Sequence, residues 1–168
     1  SGFFHIDEEM IFSDYASYRK WYQVSKYYIA GAPTVALISG NGGNDIGEVI
    51  KALHERKLNA VAMTGVGRDL AMLRQIDPDL VIYFPHGRLA MDKPEAAVAY
   101  LARQNIPLLC PIKANQLYSE FLRDQRGMTG GMLSQSVIMP ELDGGAEPFA
   151  VAGDGHGPVA DHPGAEQR

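Results

Sequence analysis

The chain has 168 residues, a net charge of −5 and a single cysteine, Cys110. This length supports one domain with a hydrophobic core, and the negative charge argues against a nucleic-acid partner, which would require a basic surface. One cysteine excludes an intrachain disulfide and a zinc site built on cysteines. No apolar run approaches the roughly 18 residues needed to cross a bilayer. We therefore predict no membrane span in this chain.

The N-terminal part of the chain carries an aromatic helix. Ser13 is predicted to cap this helix, on which Tyr15, Tyr18, Trp21 and Tyr22 lie close to one face. Aromatic residues at this spacing pack on a core more often than they form a platform for a cofactor. We predict a packing face.

A regular alternation of strands and helices follows. The predicted apolar strands are Thr34–Ile38, Ala60–Met63, Leu80–Phe84 and Ile106–Ile112. Cys110 in the fourth strand is predicted to be buried and unreactive. Helices are predicted to begin near residues 45, 69 and 92. Strands that alternate with helices indicate βαβ units. The predicted fold class is α/β, with a doubly wound, flavodoxin-like or Rossmann-like parallel sheet.

The whole chain, residues 1–168, is predicted to be a single α/β domain taken from a much larger protein. Residues 1–31 are assigned to a helical lead-in, residues 32–153 to the α/β core and residues 154–168 to an irregular tail. Ser1 is not an initiator methionine, which suits an excised fragment. His156 and His162 resemble metal ligands in type, but their spacing in a Gly/Pro-rich segment fixes no geometry, so we interpret them as part of the tail.

An acidic segment at residues 139–148 reads MPELDGGAEP. Pro140 lacks an N–H and the glycine pair raises the entropic cost of ordering, so the segment is predicted to form a tight loop rather than a helix. An apolar run at residues 149–152 follows it as a predicted strand. The loop would concentrate Glu141, Asp143 and Glu147 beside an apolar element. A solvated acidic turn is the alternative interpretation.

Three further loops follow predicted strands, and ligands of open parallel sheets bind outside the carboxyl ends of the strands. The loop Ser39–Asn44 precedes a helix and is either an anion-binding cradle or a flexible turn. His86 and Arg88 follow the third strand and either bind carboxylate groups of a ligand or form a surface turn. Lys113–Gln116 follows the fourth strand and is equally ambiguous. The chain contains no Gly-Lys-Ser/Thr phosphate-binding motif.

Two motifs more than a hundred residues apart carry a family resemblance. The first comprises Gly2-Phe3-Phe4-His5, Phe12-x-Asp14 and Tyr18-x-x-Trp21-Tyr22. The second runs from Gly127-Met128-Thr129 into the MPELDGGAEP segment. Together and in this order they resemble the large-subunit family of cobaltochelatase and magnesium chelatase, in which an LPELDGG-x-EP pattern recurs. The subunits of this family are very large, so the chain would cover an internal part of one.

The resemblance implies a site at which a metal ion is inserted into a tetrapyrrole. Two pyrrole N–H protons must leave, which calls for a base, and the incoming divalent ion must exchange water for other ligands. By resemblance, Glu141 and His5 are the predicted catalytic residues and the candidate metal ligands. The residues predicted to bind the tetrapyrrole are Asp143, Gly144, Gly145, Glu147, His86 and Arg88.

The resemblance also implies partners and substrates. The expected substrates are a tetrapyrrole and a divalent metal, Co²⁺ or Mg²⁺. ATP would be used by separate AAA-type motor and adaptor subunits, with no nucleotide site in this chain. We expect the parent protein to be cytoplasmic, and we expect the 168-residue chain to be inactive by itself.

One departure from the family pattern bears on the choice of metal. Ile6 follows His5, where magnesium-type members usually place a proline. This favours cobalt insertion into a corrin precursor over magnesium insertion into protoporphyrin. Two alternatives stay open: a haem-processing relative that removes metal, and a non-catalytic flavodoxin-like ligand-binding or scaffold module.

Overall fold

The computed structural model describes residues 2–39, 44–64, 70–84, 87–90, 92–113, 118–127, 129–146 and 150–151. The strands are β1 (Gly2–His5), β2 (Glu8–Phe12), β3 (Thr34–Ser39), β4 (Asn59–Thr64), β5 (Leu80–Phe84), β6 (Leu108–Leu109), β7 (Ile112–Lys113) and β8 (Ala150–Val151). The helices are α1 (Tyr15–Gln23), α2 (Asn44–Glu55), α3 (Leu70–Ile76), α4 (Pro94–Gln104), α5 (Tyr118–Arg123), α6 (Gly130–Leu133), a π-helix π1 (Ser134–Ile138) and α7 (Met139–Leu142).

Four strands form a parallel sheet in the order β4-β3-β5-β6, which confirms the predicted α/β class. This order matches the first four strands of a flavodoxin-like sheet. A flavodoxin-like sheet has a fifth parallel strand, and the described residues show none next to β6. At the other edge, β1 pairs antiparallel with β4, and β2 pairs antiparallel with β1. The sheet is therefore mixed and six-stranded.

The β1–β2 hairpin corrects the prediction that residues 1–31 are only a helical lead-in. Its turn contains Ile6 and Asp7, which lack the Asn-Gly or Asp-Gly signal that identifies most two-residue hairpins in a sequence. Gly2 is needed at its start, because a Cβ atom there would lie 2.3 Å from the carbonyl oxygen of Phe12. The hairpin places His5 at the end of β1.

The two faces of the sheet bury two separate cores. One face packs against α2 through Ile46, Ile50 and Leu53. The other face packs against α1, α3 and α4 and includes Tyr18 and Tyr22. The aromatic helix is thus a packing face, as predicted. Its N-cap is Asp14 rather than Ser13, since the Asp14 side chain accepts a hydrogen bond from Ser17 N.

The predicted fourth strand is divided between two sheets. β6 joins β5 in the main sheet, whereas β7 pairs in parallel with β8, the strand predicted after the acidic segment. Cys110 lies between β6 and β7 and is buried, and burial raises the pKa of its thiol to about 12. The burial confirms the predicted core position of Cys110, and the raised pKa disfavours the reactive thiolate.

The first residues of the acidic motif are helical, contrary to the tight loop predicted for residues 139–148. α6, π1 and α7 follow one another without interruption from Gly130 to Leu142. Pro140 is tolerated because the wider π-helical turn of π1 directly precedes it in this continuous helix. Glu141 consequently lies on a helix rather than on a loop.

The side chain of Asn59 fixes the connection between α1 and β3, and its replacement by alanine tests this packing. Asn59 is buried, and its amide group bonds to Ile29 N, Ile29 O and Ala32 O at 3.0, 2.8 and 3.1 Å. We expect Asn59→Ala to lower the free energy of unfolding by about 2 kcal/mol, because the partly buried backbone groups of Ile29 and Ala32 lose their partner. In urea unfolding, the exposed control Gln104→Ala should lose no more than about 0.5 kcal/mol of the free energy of unfolding. Equal losses in the two variants would show that Asn59 does not fix this connection.

Candidate functional site

The centre of the acidic motif is an ion pair between the buried Asp143 and the half-buried Arg88. Arg88 Nε donates to Asp143 Oδ1 at 2.7 Å, and the backbone N–H of Leu89 donates to Asp143 Oδ2 at 2.7 Å. Asp143 is only 3% exposed, so both carboxylate oxygens are engaged inside the protein. The motif is thereby attached to the segment between β5 and α4, 55 residues earlier in the chain.

Arg88 also reaches a second carboxylate at the surface. Its Nη1 atom donates to Glu95 Oε1 at 2.9 Å, and the Glu95 side chain is 81% exposed. The hydrogen bond that Arg88 donates to Asp143 is the main cause that raises the pKa of Arg88, and Glu95 contributes less. The pKa of Glu95 is lowered first by a hydrogen bond from its own backbone N–H and then by the hydrogen bond that Arg88 donates. Arg88 is therefore held between a buried and an exposed acid.

The Asp-Gly-Gly part of the motif ends helix α7 in a Schellman arrangement. Asp143 is the C-cap, Gly144 has φ = +76°, and Gly144 N and Gly145 N donate to the carbonyls of Glu141 and Pro140 at 3.0 and 2.9 Å. The left-handed conformation at the residue after the C-cap favours glycine because it has no Cβ atom. This explains why a glycine follows the aspartate directly.

The two glycines have different surroundings. A Cβ atom on Gly145 would lie 2.8 Å from Cys110 Sγ and 3.0 Å from the carbonyl oxygen of Pro140, so this glycine is required by close packing. Gly144 has no atom within 4 Å of the same position and faces open space. Ala146 N then donates to Leu108 O at 2.7 Å and joins the end of the motif to β6.

Glu141 is the exposed carboxylate of this motif. It lies one turn before Gly145 on α7, and its side chain is exposed to solvent. A rigid C-cap on one side and the π-helix on the other therefore hold a solvent-facing carboxylate in place. π-helical turns frequently occur at functional sites.

A second polar cluster is the histidine pair of His5 and His54. Their Nε2 atoms are 2.9 Å apart, and aromatic rings of Trp21, Tyr22 and Tyr27 lie within about 6 Å of the His5 ring. Tyr27 stacks on His54 with ring centroids 4.5 Å apart. His54 comes from the last turn of α2 and was not identified from the sequence, because an isolated histidine on a helix belongs to no motif.

Backbone contacts at the other two ring nitrogens define the tautomers of the pair. Asp7 N donates to His5 Nδ1 at 3.2 Å, so His5 carries its proton on Nε2 and donates to His54 Nε2. His54 then carries its proton on Nδ1, which lies 3.3 Å from Leu58 O. All four ring nitrogens are engaged when both imidazoles are neutral.

The pKa values of both histidines are lowered. Burial, followed by the charge of His54, lowers the pKa of His5 from 6.5 to about 4; Asp7 opposes this shift and Lys26 adds to it. Burial also lowers the pKa of His54, against opposing contributions from the Leu58 carbonyl and Asp7. Asp7 itself accepts from Tyr27 and forms an ion pair with Lys26 at 3.2 Å. The neutral pair is therefore favoured at pH 7.

The structure brings some of the predicted site residues together and separates others. Arg88, Asp143, Gly144 and Gly145 form one cluster, and Glu141 lies beside it. His5 is elsewhere: β1 and β6 are separated by three strands, or about 19 Å at the usual strand spacing. His86, Glu147, His156 and His162 lie outside the described residues, as do residues 40–43 of the Ser39–Asn44 loop and residues 114–116 of Lys113–Gln116.

Neither a metal cluster nor a membrane helix occurs in the described parts of the chain. There, no group of three or more His, Cys, Asp or Glu side chains could hold a metal ion. None of the helices in those parts has the length and apolar character that a bilayer span requires.

Comparison with protein families identifies the class of protein to which this motif belongs. The family described as CobN/Magnesium Chelatase matches residues 1–167. The chain therefore belongs to the CobN/magnesium chelatase family, a family of metal chelatase subunits that bind a tetrapyrrole and a divalent metal. Comparisons with curated proteins and with solved structures gave no match.

The contribution of the Arg88–Asp143 ion pair can be measured with two variants that act on the same arginine. Asp143→Asn removes the charge that Arg88 contacts inside the protein, and we expect a loss of about 2 kcal/mol in the free energy of unfolding. Glu95→Gln removes only the exposed partner and should cost less than about 0.5 kcal/mol. Denaturant unfolding of both variants is the measurement. Equal losses would show that burial does not distinguish the two contacts.

The histidine pair predicts a specific loss of stability in acid. Because the pKa of His5 is lower in the folded chain, the unfolded chain binds more protons between pH 6.5 and about 4. The free energy of unfolding should fall as the pH falls through this window, by up to about 1.4 kcal/mol per pH unit for each histidine. In His5→Gln the slope should decrease. Parallel pH profiles of urea unfolding in the two proteins would contradict this assignment.

Proposed function

We propose that this chain is part of the large, tetrapyrrole-binding subunit of an ATP-dependent metal chelatase. Membership of the family supports this proposal, and so does the structure of its most specific motif. The main structural support for the proposal is that two neighbouring carboxylates differ in burial. Asp143 is buried and fully hydrogen-bonded, whereas Glu141, two residues earlier, is exposed at the surface of the same rigid turn.

The proposed role of Glu141 is to accept a pyrrole proton or to guide the metal substrate. Metal insertion releases two N–H protons, and a positioned carboxylate beside the macrocycle can accept them. Carboxylate oxygen is also an acceptable ligand for a hard divalent ion that is losing water. Helix α7 directs Glu141 outward, and Gly144 next to it leaves open space in which a flat ligand can approach the backbone.

Arg88 and Asp143 are proposed to position this surface rather than to contact the macrocycle. Both oxygens of Asp143 are occupied, and the Nε and Nη1 atoms of Arg88 are bonded to carboxylates. The Cys110 sulfur atom covers the side of Gly145 where a Cβ atom would lie. Of the two glycines, Gly144 is therefore the one that a ligand can reach. The role of His5 in catalysis or metal binding stays a prediction, because its ring nitrogens are engaged with His54 and Asp7.

Cobalt is the metal that we propose, on the basis of Ile6 after His5, with motor and adaptor subunits supplying ATP hydrolysis. The test is a tetrapyrrole titration of the full-length chain, followed by absorbance spectra with Co²⁺ or Mg²⁺, each with and without the partner subunits and ATP. Faster insertion of Co²⁺ than of Mg²⁺ supports the proposal. Loss of metal from a metallated tetrapyrrole would instead indicate the haem-processing alternative, and no tetrapyrrole binding would indicate a non-catalytic module.

Replacement of Glu141 by glutamine tests its proposed role directly. The amide keeps the size and most hydrogen bonding of the side chain but cannot accept a proton. We expect Glu141→Gln in the full-length protein to slow metal insertion by about 10²–10⁴-fold, with unchanged folding and tetrapyrrole binding. The exposed Glu120 on α5 provides the control, and Glu120→Gln should retain normal rates. Early melting of Glu141→Gln with a normal specific activity would show that Glu141 is structural.

A further inference from the structure

A cavity of about 380 Å³ lies at the opposite end of the sheet from the acidic motif. It is formed where α1 meets the C-terminal end of α3, above the first residues of β3 and β4, Thr34 and Asn59. A shallower cavity of about 350 Å³ adjoins it and shares Tyr15, Arg19 and Gln23 of α1 and Gln75 of α3. We call the two cavities together the α1–α3 groove.

The floor of the groove is rigid and its polar groups are already satisfied. Tyr18 OH donates to Ala60 O at 2.8 Å, and Tyr22 OH accepts from Ala60 N at 3.0 Å. The rings of these two tyrosines are stacked with centroids 5.5 Å apart. Asn59 completes the floor, with its amide bonded to the backbone. The floor is therefore closed, and the aromatic surface that a ligand can reach belongs to the half-buried Tyr15 and to Tyr28, which is 37% exposed.

The rim of the groove carries the charged groups. Arg19 and Lys20 are exposed and form no ion pair with another described residue. Asp77 is the carboxylate among the described lining residues, and it accepts from Tyr100 OH at 3.3 Å. Burial raises the pKa of Tyr15, while Arg19 lowers it and Asp77 raises it, so both charges act on the same hydroxyl. Two cations without an ion pair to a described residue thus lie beside the groove, although the chain has a net charge of −5.

We propose that the α1–α3 groove binds a small planar aromatic carboxylate that also carries a hydrogen-bond donor. A guanidinium recognises a carboxylate with paired hydrogen bonds, which assigns Arg19 to the acidic group of the ligand. The rings of Tyr15 and Tyr28 accommodate a planar body. The exposed Asp77 accepts from the donor of the ligand and disfavours a dianion. The volume lies at the lower end of the range for small-molecule sites. The site is separate from the Glu141 surface, so it does not depend on the proposed chelatase function.

Two probes with the same ring and opposite charge test this site on the full chain. Indole-3-acetate supplies the carboxylate and a ring N–H, whereas tryptamine places an ammonium group on the same ring. We expect saturable binding of indole-3-acetate by calorimetry, with no binding of tryptamine. NMR shift changes should centre on Tyr15–Gln23 and Gln75–Asp77. Absence of saturable indole-3-acetate binding, or equal binding of both probes, would overturn the proposal.

Variants then assign the binding to Arg19. Arg19→Gln should weaken indole-3-acetate binding by about tenfold or more, because a charge-assisted hydrogen bond is lost. Arg56→Gln, an exposed arginine at the end of α2 against the other face of the sheet, should bind normally. Both side chains are exposed, so thermal unfolding should match the native chain. Equal affinity of Arg19→Gln and the native chain would show that the probe binds elsewhere and would contradict the assignment.

Discussion

The carboxylate of Asp143 is the constraint on which the C-terminal part of this structure depends. A buried carboxylate is costly unless it is paired and hydrogen-bonded, and Asp143 meets this requirement through Arg88 and Leu89 N. The contact fixes the end of α7 against the segment that follows β5. Gly145 can then pack on Cys110, and Glu141 is left at the surface.

The remaining polar clusters have other functions in the fold. The histidine pair and its aromatic neighbours join the β1–β2 hairpin to α1 and α2 at the edge of the sheet beyond β4. A neutral, fully hydrogen-bonded pair of imidazoles stabilises this junction, and it does so without a charge. The family motif that contains His5 therefore has a structural explanation independent of catalysis. Tyr22 contributes to this cluster and also lines the α1–α3 groove.

The parallel sheet could be predicted from the sequence because each of its strands is a short apolar run between helical patterns. The β1–β2 hairpin could not, because Ile6 and Asp7 give no turn signal. The helix through Pro140 was missed because proline and glycine are read as breakers, while the π-helix and the Schellman end that accommodate them are properties of the folded chain.

The candidate site was only partly predictable for a similar reason. The acidic motif made Glu141 and Asp143 candidate site residues, and the loop after the third predicted strand added Arg88. The family match supports the resemblance that these motifs carry. The sequence could not show that Asp143 contacts Arg88, because a pair 55 residues apart is brought together only by the sheet. Nor could it reveal His54, whose partner lies 49 residues away.

A double-mutant cycle between Arg88 and Asp143 tests whether their ion pair holds the Glu141 surface in place. The free energy of unfolding would be measured for Arg88→Gln, Asp143→Asn and the double variant, together with the rate of metal insertion in the full-length protein. If it does, the two substitutions should be coupled by about 1–3 kcal/mol in the free energy of unfolding. Each single variant should insert metal more slowly than the native protein, and the double variant should be no slower than the single variants. Additive effects on both quantities would contradict this prediction, because the ion pair would then not hold the Glu141 surface in place.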